Sequence, residues 1–75
     1  MPKLPRVTAA EARRAIERDG WMLVRQAGSH AHFLHLTKLG RVTIAVHAGV
    51  ILPPKTLTRI IGDAQLTVDE FIDLL

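Results

Sequence analysis

The chain carries four histidines, His30, His32, His35 and His47, and no cysteine. His30 closes the tripeptide Gly28-Ser29-His30, which lies between two apolar runs rich in β-favouring residues. Gly28-Ser29 has the composition of a tight hairpin turn. His30 then occupies the first position of the next strand, held by a rigid ladder and within reach of solvent. An imidazole titrates near pH 6.5, so it can take or give a proton near neutrality. That is the equipment of general acid–base chemistry. A turn histidine satisfied by a backbone carbonyl would use the same residue, and the bare sequence leaves both roles open. His47, at the end of a later strand, is a possible second acid/base or a structural residue. The four imidazoles together could be read as a metal site. Against that, His35 falls on the opposite strand face from His30, and no carboxylate or cysteine stands nearby in sequence. No metal and no cofactor are expected. Ser29 lacks the carboxylate–histidine arrangement that would mark a nucleophile.

A second chemistry is carried by charge. The formal net charge is +3, and it is unevenly spread. Up to Arg59 there are ten Lys/Arg against three Asp/Glu; from Ile60 onward there are four acids and no Lys or Arg. A basic body suits a polyanion such as nucleic acid. Arg25, Lys55 and Arg59 are candidates for holding a phosphate, with Ser29 and His32 lining the same groove. Arg13 and Arg14 read either as a phosphate-contacting ridge or as a solvated helix face with Arg13 paired to Glu17. Trp21 reads as core, and less readily as a base-stacking platform.

These residues need elements to position them. Met1 to Arg6, with two prolines, is an extended lead-in. Thr8-Ala9-Ala10-Glu11 fits a capping box, with Val7 and Ala12 as its hydrophobic staple. The helix it opens runs to about Arg18 and stops at Gly20. Strand 1 is Trp21 to Gln26, with Trp21, Leu23 and Arg25 on one face and Met22, Val24 and Gln26 on the other. Strand 2 runs from His30 to about Thr37, and strand 3 from Val42 to His47. Val42, Ile44 and Val46 should be buried, which puts Phe33 on the covered face and His30 and His47 on or near the open one. Leu34 and Leu36 point the other way, so a bulge or a covering protein is needed to reconcile the faces. A second helix spans about Pro54 to Ala64 and buries Leu57, Ile60 and Ile61. Thr67-Val68-Asp69-Glu70 is another capping box, opening a short helix with Val68, Phe71, Ile72 and Leu75 on its apolar side.

The order α-β-β-β-α-α gives a two-layer α+β domain: a three-stranded antiparallel meander with helices on one face. At 75 residues the chain is expected to be one domain, 1–75. A domain of this size buries only about 60% of its unfolded surface, so a partner would help it. No apolar run approaches the roughly 20 residues of a membrane span, and no apolar signal core opens the chain. A soluble, cytoplasmic protein is expected.

Gly28-Ser29-His30 with Phe33, Val42-Thr43-Ile44-Ala45-Val46-His47, Thr56-Leu57-Thr58-Arg59-Ile60-Ile61 and Leu66-Thr67-Val68-Asp69-Glu70-Phe71 stand in an order that resembles the HicA toxin family of mRNA interferases. The resemblance covers nearly the whole chain from Thr8. It implies a double-stranded-RNA-binding-domain-like fold, an endoribonuclease that cuts mRNA, and a HicB-like antitoxin as partner. It also implies that His30 is the catalytic residue. The chain departs from the family pattern at Ala45, where a proline is common, and at Lys55 and Gln65, where glycines are usual. The rival readings are a non-catalytic RNA-binding module on the same basic surface and, more weakly, a DNA-binding helix-turn-helix. The acidic composition of the last two helices argues against the latter.

Overall fold

The computed structural model describes residues 3–75; the first two residues of the expected lead-in lie outside them. The elements, in chain order, are α1 (Ala9–Arg18), β1 (Met22–Ala27), β2 (His30–Leu34), β3 (Val42–Ala45), α2 (Pro54–Asp63) and α3 (Val68–Asp73). The strands form an antiparallel sheet in the order β1-β2-β3. This is the expected α+β order. Strands 2 and 3 are shorter than the sequence reading, because the chain leaves the ladder after Leu34 and after Ala45.

Both capping boxes form. Thr8 accepts from the Glu11 N–H while the Glu11 carboxylate accepts from the Thr8 N–H at 2.9 Å. Thr67 and Glu70 repeat the arrangement, at 2.8 Å. Each carboxyl is held below its ordinary value, first by the threonine backbone N–H and then by the threonine hydroxyl. The staple residues Val7 and Ala12 are buried.

α1 and α2 end in the same way. The Trp21 N–H donates to the Ile16 carbonyl and Gly20 to Glu17; the Leu66 N–H donates to Ile61 and Gln65 to Gly62. Both are Schellman caps, which require a residue of positive φ. Gly20 supplies it at +106°, and Gln65 adopts +58° as the only non-glycine with positive φ among the described residues. The Gln65 side chain compensates by donating to the Leu39 carbonyl at 2.6 Å.

α1 and α2 cover the sheet face made by Ala31, Phe33, Val42 and Ile44, and Trp21, Ile16, Leu57, Ile60 and Phe71 complete the core. Burying each large side chain there contributes about 1.5–3 kcal/mol. The helices leave β1 largely uncovered, and every residue of it is exposed. Val46, expected in the core, is partly exposed because it lies past the end of β3. Ile72 and Leu75, expected on the buried side of α3, are also exposed. Leu74 packs against the core in their place, and Arg18 donates to its carbonyl at 2.6 Å.

β1 does not alternate evenly along its length. Leu23 pairs with Phe33 and Arg25 with His32, so Val24 is the extra residue of a β-bulge. Paired residues share a sheet face. Leu23 therefore follows Phe33 to the covered side, and Arg25 follows His32 to the open side. The expectation that Leu23 and Arg25 share a face is corrected by this change of phase. Gln26, paired with Ala31, likewise belongs to the covered side.

Candidate active site

The hairpin that presents His30 is closed by the pair Ala27–His30 around Gly28 and Ser29. Gly28 has φ +59° and Ser29 does not enter the positive region. A glycine at the first central position is what a type II′ turn demands, and that turn matches the twist of the flanking strands. The Ser29 carbonyl accepts the Val46 N–H at 2.6 Å, which ties the turn to the outgoing end of β3.

His30 is exposed. On the open face it stands between Ala27 of β1 and Ala45 of β3. Two methyl groups flank the imidazole and leave its approaches clear. Neither ring nitrogen has a hydrogen-bond partner among the described residues. A turn histidine satisfied by a carbonyl is therefore not what forms. His47 is exposed and follows Ala45 by two residues, so it leaves β3 at the same end of the sheet as the hairpin.

The next row along the open face holds Arg25, His32 and Thr43. His32 Nδ1 lies 3.0 Å from the Thr43 hydroxyl, which fixes the ring. Beyond it, Val24, Arg25, His32, Leu34 and Arg41 line a shallow depression of about 190 Å³. Arg41 was not among the residues expected to bind. The signal for it was present: Val42 and Ile44 point inward, so the residue before Val42 points out.

The other expected cations are not gathered here. Arg13, on α1, pairs with Glu17 at 3.5 Å and lies 5.4 Å from the centre of the Phe33 ring, in the helical layer. Arg14 is exposed elsewhere on α1, beside Glu11 and Arg18. Lys55 and Arg59 are exposed on α2, where Arg59 lies 3.8 Å from Asp63. The start of α2 is led by Pro53 and Pro54 and has no side-chain cap, so the N–H groups of Lys55 and Thr56 have no helical partner.

His35 belongs to neither site. Its Nδ1 accepts from the N–H groups of Thr37 and Lys38, at 3.1 and 3.2 Å. The proton is therefore on Nε2, which donates to the Asp19 carbonyl at 2.7 Å. The ring also packs edge-on against Trp21, with centroids 5.2 Å apart. Both nitrogens being occupied, His35 is a structural residue. Trp21 is buried in the core, as its sequence position suggests.

No helix among the described residues is long and apolar enough to cross a membrane. A comparison with curated proteins found no match. A family model does match: the one described as the HicA toxin of bacterial toxin–antitoxin systems, over residues 9–66. That span contains the sheet, α1, α2 and all four histidines.

Proposed function

This chain belongs to the HicA toxin family of bacterial toxin–antitoxin systems, and on that premise we propose that it is an endoribonuclease that cuts mRNA. His30 is the general acid/base. The observation that carries the reading is the free, exposed imidazole at the hairpin rim, flanked by alanines on a face that bears arginines. RNA supplies its own nucleophile. A base takes the proton of the 2′-hydroxyl, the 2′-oxygen bonds to phosphorus, and the bond to the 5′-oxygen breaks as an acid protonates that oxygen. The products are a 2′,3′-cyclic phosphate and a 5′-hydroxyl. His30 performs one of these transfers; His47, leaving β3 at the same end, is placed to assist with the other. The proton bookkeeping closes with no metal in the step. Arg25 beside His32 supplies positive charge for the phosphate oxygens. A HicB-like antitoxin covering this face is the proposed partner.

The test compares the wild-type chain with His30→Ala. Expression of the wild type should arrest growth and fragment mRNA, with cleavage of purified RNA unaffected by chelators. His30→Ala should do neither, its cleavage rate falling by about 10²–10⁴-fold. Equal toxicity of the two would refute the assignment. Intact RNA bound by a non-toxic wild type would favour a non-catalytic RNA-binding module.

A further inference from the structure

We infer that the depression lined by Val24, Arg25, His32, Leu34 and Arg41 is a subsite for one nucleotide of single-stranded RNA, next to the nucleotide whose phosphodiester His30 attacks. The inference rests on the ribonuclease reading and adds to it a substrate subsite and Arg41 as a binding residue.

Three observations support it. The first is spacing. His30 and His32 are alternate residues of β2 and share the open face, so they stand about 7 Å apart along the strand. That is the reach of a single nucleotide along an extended chain. The second is charge. The register β2–β3 pairs Phe33 with Val42, and continuing it sets Arg41 opposite Leu34. Arg25 and Arg41 thus approach the depression from the two outer strands of the sheet. No carboxylate lines it among the described residues. Two exposed guanidiniums without a counter-charge match the phosphates on either side of a base. The third is the lining. Val24 and Leu34 are exposed apolar side chains, 55% and 44% accessible, and they offer a base an apolar floor. Thr43 holds His32 through Nδ1, which leaves Nε2 to meet a base edge. Double-stranded RNA would not seat there, because its bases are stacked and turned inward.

The bulge helps to build this subsite. Because Val24 is inserted opposite His32, both it and Arg25 line the depression.

Binding is measured on chains that also carry His30→Ala, so that the RNA survives. The probes are a short single-stranded oligoribonucleotide and an abasic strand of equal charge, each titrated across salt concentrations. Arg41→Ala should weaken binding to both probes by roughly tenfold at low salt and reduce the slope of log affinity against log salt by about 0.7, one phosphate contact. Leu34→Ser should weaken binding to the base-bearing strand alone. Arg6→Ala, exposed and away from the sheet face, should alter neither. Thermal melting of each variant checks that it is folded; Arg25→Ala is the second charge variant if Arg41→Ala melts early. Unchanged affinity and slope in both arginine variants overturn the subsite, as does Leu34→Ser acting equally on both probes. So does failure of the His30→Ala parent to bind RNA while it captures an acidic peptide through Arg41. Cleavage by the chain with His30 intact is scored separately. Its absence refutes the ribonuclease reading, whereas a cleaving enzyme indifferent to Arg41 and Leu34 refutes only the subsite.

Discussion

The two ends of β2 are built on opposite plans. At one end His30 is exposed between two alanines with neither nitrogen engaged. Just past the other end, His35 has both nitrogens occupied and packs against Trp21. Around His35 the structure is knotted together. The Lys38 ammonium lies 2.6 Å from the Asp19 carboxylate and also donates to the Ala64 carbonyl at 3.1 Å, joining the end of α1 to the end of α2. Gln65 adds a bond to the β2–β3 loop. At the hairpin end the backbone tie is the Ser29–Val46 bond. The same residue type serves as a fastener at one end and as a reagent at the other. What separates the two roles is how many of its hydrogen bonds the fold has already taken.

His35→Ala removes a ring that satisfies two N–H groups and a carbonyl and that packs on the indole. It should cost about 2–4 kcal/mol in denaturant midpoint analysis. His30→Ala, by contrast, should shift stability by less than about 0.5 kcal/mol. Equal losses from the two would erase the distinction. Gly20→Ala strikes the same knot from the backbone. A Cβ there would lie 2.8 Å from His35 Nε2, at φ +106°, so a loss of about 2 kcal/mol is expected. A variant as stable as the wild type would mean that the His35 ring is free to move aside.

The smallest effect is a pH dependence carried by the capping-box carboxylates Glu11 and Glu70. Their folded pKa values lie below the ordinary 4.5, through the threonine N–H bonds first. A depressed carboxyl stabilises the fold fully above its unfolded pKa and loses that contribution as pH falls through the folded one. The melting temperature should therefore decline below about pH 4.5. Glu11→Gln with Glu70→Gln should flatten the decline; an unaltered slope would assign it to other acids.

Much of this was legible in the sequence for local reasons. Capping boxes, the Gly28 turn and the stop at Gly20 are each written in a few adjacent residues. They fixed the element order and put His30 at the rim. What could not be read depended on contacts across the chain. Simple alternation through β1 keeps one phase, but the bulge at Val24 resets it and carries Arg25 to the other face. Strand alternation sets His35 apart from His30, but its structural role appears only when the fold brings Asp19 and Lys38 to it. Arg41 sits before β3 and joins the open face only through the β2–β3 register. Charge alone does not separate the cations of α1 and α2 from those of the sheet, but the helical layer holds them apart from the depression.

The bulge has a further consequence, for the behaviour of many molecules together. β1 is an outer strand, apolar and unshielded on both sides, the kind of border along which sheets of neighbouring chains can join. Val24 interrupts that border with one surplus residue. Its removal would leave Leu23 opposite Phe33 and Arg25 opposite His32, so no side chain would change sides. It would also straighten the strand into a flat template for self-association. The surplus residue thus works against edge-to-edge pairing of one copy with another.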